Sequence, residues 1–328
     1  MKEERQIVHT AMFMISLTEN ELTTISKNQR LEEIKNNIKI NDGKAITLNV
    51  KKGPIVKNNQ NGKSHDFAWR GFLIVDFIEL LSKTDITEYD LGDALKKLED
   101  YVCKFISSDS RLELIRIDYR FDSYVPDEKR RNLYFKLFKK CSDKVNYMHK
   151  RKYKTSLVYS SKSRRNNIYD KEVQLCNTNR DIQDYEKDII RFEAQILPRH
   201  TYYQLKSNKV ARTLANYFSE SMYRKYMDKM ILKVLFRGDY YNEYHVKKIL
   251  NNSSVFTEHE RKEALEFMIL ISKSRSVSKA IEIFGKYKAN KYIKKLQEEN
   301  INPILIPKYE KLTQIENPLK KLYDTWQN

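Results

Sequence analysis

Three short segments alternate apolar and charged residues with a period of two. At that spacing a strand turns successive side chains to opposite faces. In 112–124 (LELIRIDYRFDSY), Ile115, Ile117, Tyr119 and Phe121 fall on one face, and Arg116, Asp118, Arg120 and Asp122 on the other. In 164–173 (RRNNIYDKEV), Arg165, Asn167, Tyr169 and Lys171 share a face. In 188–197 (DIIRFEAQIL), Ile190, Phe192, Ala194 and Ile196 oppose Arg191, Glu193 and Gln195. The pattern predicts an antiparallel sheet, apolar beneath and charged above. Any half-buried sheet alternates in this way. What it does not require is the content of the polar faces: one Asp, one Tyr with a Lys and one Glu, each flanked by arginines.

Around these strands the chain reads as α+β. Residues 5–17, 44–52, 67–77 and 153–161 read as further strands, and 51–65 (KKGPIVKNNQNGKSH) as a loop punctuated by Gly, Pro and Asn. Helical spacing in 88–107 puts Leu91, Ala94, Leu95, Leu98 and Val102 on one face. Another helix is expected over about 127–148. After Pro198 the pattern turns almost wholly helical. Within it, residues 274–307 have the shape of a helix-turn-helix: Ala280, Ile281 and Ile283 lead to Phe284-Gly285, and a basic helix runs from Lys286 to Leu296. The expected organisation is an antiparallel β-sheet domain with flanking helices over 1–200, followed by a mostly helical domain over 201–328.

Charge narrows the partners. The 328 residues carry 62 Lys and Arg against 44 Asp and Glu, a net charge of +18. The excess is concentrated between Lys129 and Arg165, where Asp143 is the only acid among fourteen basic residues. These are Lys129, Arg130, Arg131, Lys136, Lys139, Lys140, Lys144, Lys150, Arg151, Lys152, Lys154, Lys162, Arg164 and Arg165. Tyr134, Phe135, Tyr147, Tyr153 and Tyr159 are interleaved with them, a pattern that suits a phosphate-tracking groove with stacking platforms. With only seven glycines, the chain has no GxxxxGK[ST] and no GxGxxG, so a nucleotide-hydrolysing motor is not expected. No apolar run of membrane-spanning length and no cleavable leader is apparent. Cys103, Cys141 and Cys176 are unpaired by spacing, which suits a reducing cytoplasm.

If the three polar faces are neighbours, Asp118 and Glu193 could share Mg²⁺ or Mn²⁺, hard cations that prefer carboxylate oxygen and bridge to phosphate. Tyr169 could attack phosphorus beside them, with Lys171 offsetting charge. A free phenol has a pKa near 10 and needs such help to act as a nucleophile at neutral pH. The alternatives are ordinary ones. Strand carboxylates are more often ion-paired to neighbouring arginines, and Tyr169 is one of 22 tyrosines, most of which must be packing residues. The histidines at 9, 65, 149, 200, 245 and 259 form no His-x-His pair.

The order of RIDYRF (116–121), a basic helix, NNIYDKE (166–172) and IIRFEAQI (189–196) resembles the filamentous-phage gene II replication proteins and the trans-acting initiators of rolling-circle plasmids. The likeness spans about 110–200 and weakens over the N-terminal sheet. It implies that 1–200 is a DNA-nicking domain and 201–328 a helical DNA-binding or accessory domain, and that Tyr169 nicks one strand of supercoiled origin DNA, keeps the 5′ phosphate and leaves a 3′-OH primer. Asp118 and Glu193 would hold the metal, with Lys171, Arg116 and Arg191 in support. Tyr159 is the rival nucleophile. A host helicase and polymerase are the implied partners. A conjugative relaxase would share this chemistry, whereas a silent DNA-binding regulator would use the sheet as scaffold only.

Overall fold

In the computed structural model, which describes residues 8–28, 37–42, 45–60, 63–104, 112–141, 149–324 and 326, the alternating segments form strands of an antiparallel sheet accompanied by helices, an α+β fold. The strands are β1 (Val8–Leu17), β2 (Asn37–Asp42), β3 (Ile46–Gln60), β4 (Lys63–Asp76), β5 (Glu113–Tyr124), β6 (His149–Lys152), β7 (Ser156–Ser160), β8 (Arg164–Asp170) and β9 (Ile189–Ile196). Two compact units are built from interleaved stretches. The first comprises Met1–Arg120, Lys162–Arg164 and Gln195–Tyr223; the second comprises Phe121–Ser161, Arg165–Ala194 and Arg224–Asn328.

In the first unit the strand order is β2-β3-β4-β1-β5. Ala11, Phe13, Ile15 and Leu17 of β1 are buried and lie opposite Val75, Leu73, Gly71 and Trp69 of β4. Burying each large apolar side chain contributes about 1.5–3 kcal/mol, so the period-two pattern fixes which face packs. Gly71 is needed there: a Cβ would come 2.6 Å from Ile15 Cγ2. Asp76 caps the helix Phe77–Leu81 through the amides of Ile78 and Glu79. The helix Leu91–Val102 buries Ala94, Leu98, Tyr101 and Val102, but Leu95 stays 43% exposed rather than joining that face.

Two expectations are corrected. Of residues 51–65, read as a loop, those described lie in β3 and β4, which pair Val56 with Phe67 and Gln60 with Lys63. The Gly53-Pro54 punctuation produces a register shift between Lys52 and Val56 instead of ending the strand. The helix expected over 127–148 is the shorter Glu128–Phe138, capped by Asp127, and 142–148 lie outside the described residues. Lys150, Arg151 and Lys152 then belong to β6, paired with β7.

In the second unit, which holds only the end of β5, the order of the other strands is β9-β8-β7-β6. Its later part is mostly helical: Glu243–Asn252, Glu258–Ser274, Val277–Phe284 and Lys286–Glu298. Val246, Leu250, Phe256, Ala264, Met268, Tyr292, Leu296, Ile301 and Leu305 form the core among them. A small ribbon, Tyr240–Tyr241 with Gln314–Ile315, interrupts the helices. Among the described residues no helix is long and apolar enough to cross a membrane.

Candidate active site

β8 and β9 bring the expected tyrosine and glutamate together in the second unit. Tyr169 Oη donates a 2.7 Å hydrogen bond to Glu193 Oε1, and Asn167 Nδ2 donates to Glu193 Oε2 at 3.2 Å. Arg191, 1% exposed, donates through Nε and Nη2 to both oxygens of Asp122 at 2.7 and 2.8 Å. Burial pushes the Tyr169 phenol well above its ordinary range, and the adjacent Glu193 charge adds to this while Arg191 opposes it. Desolvation works against the Arg191 charge, but Asp122, with Tyr169 and Glu193 adding to it, raises its pKa above the ordinary arginine range.

The polar face of β9 is not open to water as the alternation implied. Every residue of Ile189–Ile196 is buried, and Arg191, Glu193 and Gln195 are 1%, 6% and 6% exposed. Buried charge is tolerated only when it is paired and hydrogen-bonded, which is what the Arg191–Asp122 fork supplies.

Lys171 is not on the strand. β8 ends at Asp170, which accepts from Val173 N and caps the helix Lys171–Asn177. Lys171 is 7% exposed and turns its Nζ to Glu186 Oε1 at 3.2 Å and Gln174 Oε1 at 3.2 Å. Burial, then the Arg191 charge, lowers its pKa, with Glu186 acting in the opposite direction. Asp170 also accepts from Arg131 Nε at 2.9 Å; Arg131 reaches Asp188 at 2.6 Å, Glu172 at 3.6 Å and the Val125 carbonyl at 2.7 Å. Arg131 is 6% exposed, so this member of the basic block holds the strand end and helix start rather than facing a partner. Arg131→Ala leaves Asp170 buried and uncompensated and is expected to cost about 3–5 kcal/mol. The neighbouring exposed Arg130→Ala should stay within about 0.5 kcal/mol. Urea unfolding of the two variants checks this.

In the first unit, Arg116 grips both oxygens of Asp118, and Gln195 Nε2 donates to Asp118 Oδ2 at 3.3 Å. Asp118 is 2% exposed. Glu193 and Asp118 are the hard oxygen donors that Mg²⁺ or Mn²⁺ prefers, but they belong to different units and both accept from protein donors. Among the described residues no group of three or more His, Cys, Asp or Glu gathers into a cage. Mg²⁺ is commonly bound by one or two carboxylates plus substrate phosphates and water, so the donor chemistry at Glu193 fits such an ion.

The remaining basic residues divide by exposure. Lys129 and Arg130 on the helix Glu128–Phe138, Arg151 and Lys152 on β6, and Arg165 on β8 are exposed, while Arg164 is half-buried. Lys150 Nζ donates to the Cys141 carbonyl at 2.8 Å and lies 5.1 Å over the Tyr159 ring; Lys152 Nζ reaches the Lys139 carbonyl. Lysines here meet carbonyls just past a helix C-terminus, where cations are favoured. Of the interleaved aromatics, Tyr134, Phe135 and Tyr159 are 3%, 0% and 0% exposed and therefore core residues, and Tyr153 is exposed. Lys144 and Tyr147 lie outside the described residues. Asn167, Asp122 and Glu186 were not singled out by sequence; their roles depend on cross-strand and helix-start partners that spacing alone does not give. No protein-family model and no curated protein matches this chain.

Proposed function

We propose that this protein nicks and rejoins DNA through Tyr169, as a rolling-circle replication initiator acting on origin DNA. The observation that carries the reading is the 2.7 Å hydrogen bond from Tyr169 Oη to Glu193 Oε1, which aims the phenol proton at a base. Tyr169 Oη attacks phosphorus and Glu193 Oε1 takes its proton. The P–O3′ bond breaks, and the departing 3′ oxygen takes a proton from water while Glu193 returns its proton to the solvent, leaving a 3′-OH and a 5′-phosphotyrosyl bond. Reversal of these steps joins strands without an external energy source. Arg191, fixed by Asp122, opposes the cost of negative charge on the phenolate. Lys171 is a buried supporting cation on the next helix. Mg²⁺ or Mn²⁺ would be held by Glu193 in this unit, with Asp118 the first unit's candidate carboxylate, and would neutralise phosphate charge.

Lys129, Arg130, Arg151, Lys152 and Arg165 are exposed and would track the phosphate backbone. The pair Val277–Phe284 and Lys286–Glu298, separated by Gly285 at φ 92°, is proposed as a helix-turn-helix reader. Its usable face is narrower than the sequence suggests. Lys288 pairs with Glu263, Lys291 and Lys295 pair with Glu260, and Lys294 pairs with Glu298 at 3.8 Å, which leaves Lys286 and Tyr287 as the outward groups. The setting proposed is the cytoplasm, with host helicase and polymerase extending the primer; a conjugative relaxase would make the same nick.

The test mixes purified protein with supercoiled DNA carrying its own gene and flanks, with and without Mn²⁺ or Mg²⁺, and separates the products on a denaturing gel. A metal-dependent DNA-linked band is expected. Tight binding with neither nick nor adduct would overturn the enzyme reading in favour of a silent regulator.

A further inference from the structure

Residues 194–219 contain no Asp or Glu but carry Arg199, Lys206, Lys209 and Arg212. The helix Pro198–Asn208 runs through this stretch in the first unit. Its inner face is tied down: Thr201 Oγ1 donates to the Ile115 carbonyl at 3.3 Å, and Thr201 and Gln204 are 0% and 5% exposed. Its outer face carries Arg199, Tyr202, Tyr203 and Lys206, an i, i+3, i+4, i+7 stripe on one side of a helix. Tyr202 and Tyr203 are 53% and 54% exposed, although burying an aromatic ring is among the strongest driving forces available to a chain. Lys206 Nζ sits 5.6 Å over the Tyr202 ring, and His200 lies 6.2 Å from the Tyr203 ring. Arg199, Lys206 and Lys209 have no ion pair among the described residues, whereas Arg212 is held by Glu113.

We infer that this helix face is a docking platform for single-stranded DNA, with Tyr202 and Tyr203 stacking on unpaired bases and Arg199, Lys206 and Lys209 meeting the phosphates. An acid-free basic stripe selects a polyanion. Two adjacent exposed rings select unstacked bases, because bases within a duplex offer no free face to them. The rings are carried on a helix bonded to β5 rather than on a loop, so little ordering is lost when a strand lands. Among the described residues the basic block between Lys129 and Arg165 offers no adjacent pair of exposed rings: Tyr134, Phe135 and Tyr159 are buried and Tyr153 stands alone. The inference rests on the reading that the chain handles DNA strands, but it does not need Tyr169.

The test is fluorescence anisotropy of labelled oligo(dT) and of a duplex of equal length, with full-length protein in the Tyr169→Phe background so that no covalent bond forms. Tyr202→Ala with Tyr203→Ala is expected to weaken oligo(dT) binding by about tenfold or more and to leave duplex binding within about twofold. Tyr202→Phe with Tyr203→Phe, which keeps the rings, should bind as the parent does. Unchanged oligo(dT) affinity in the alanine pair, or an equal loss for the duplex, would overturn the platform. Failure of the nicking reading shows separately, as the absence of any adduct in the wild-type protein whose oligo(dT) binding still depends on the two rings.

Discussion

Tyr169→Phe is expected to abolish the DNA-linked species, with a loss of about 10⁴-fold or more in the rate of strand cleavage. The substitution removes one atom, the oxygen that attacks phosphorus, and leaves the ring in its place on β8. Glu193 loses the 2.7 Å donor but keeps Asn167, so the structural cost is that of one hydrogen bond, about 0.5–1.5 kcal/mol. DNA binding and the unfolding midpoint should therefore change little. Tyr159→Phe is the decisive companion. Its ring is fully buried beneath the Lys150 ammonium, a packing position from which no phosphate is in reach. That variant should retain the band. A band that survives in Tyr169→Phe and vanishes in a folded Tyr159→Phe would transfer the nucleophile to the buried ring and sink the assignment.

Glu193→Gln is expected to slow adduct formation by about 10²–10⁴-fold, the range lost with a general base, while oligonucleotide binding persists. The amide keeps the shape and can still meet Tyr169, but it cannot take the proton. The pH dependence separates this role from simple disruption. Burial, with the Glu193 charge second, raises the Tyr169 pKa. Gln removes the second cause and leaves the first, so the phenol of the variant remains protonated at neutral pH. Below that raised pKa the phenolate fraction grows about tenfold per pH unit. The variant's rate should climb with that slope from about pH 7 to pH 9, while the wild-type rate rises less steeply because the proton has a local acceptor. A Glu193→Gln protein as fast as wild type at pH 7 would remove the glutamate from the proton path.

Much of the fold was legible because apolar alternation is a property of the chain alone. The strand cores Ala11–Leu17, Ile115–Tyr119 and Ile190–Ile196 follow from it directly. Its limit appears on the other face. The same period-two pattern describes a charge in water and a charge in a buried pair, so Arg191 and Glu193 read as exposed until their partners were placed. Lys171 was misread for a related reason. Asp170 is both a plausible strand residue and a good helix cap, and only the amide of Val173 decides between them. Gly53-Pro54 showed the converse, since a strong loop signal was absorbed as an irregularity between two long paired strands. The Tyr169–Glu193 juxtaposition needed only two strands in one sheet and was within reach of spacing. Arg131 was not, because its carboxylates, Asp170 and Glu172 in one stretch and Asp188 in another, lie about forty or more residues along the chain from it.

The interleaving of the two units also bears on how such a gene can be inherited. A recombination crossover near residue 200 looks natural on paper, since it separates strands from helices. It would discard Gln195–Tyr223 in part and Arg224–Asn328 wholly, and so take material from both units at once. The incoming segment would have to restore the Met230 carbonyl that receives Asn166 of β8, and the Glu316 carbonyl that receives the Tyr134 hydroxyl at 2.6 Å. Segments that meet such demands come from near kin. Lineages carrying this architecture should therefore diversify by point substitution and loop insertion, with few mosaics joined at the strand-to-helix boundary.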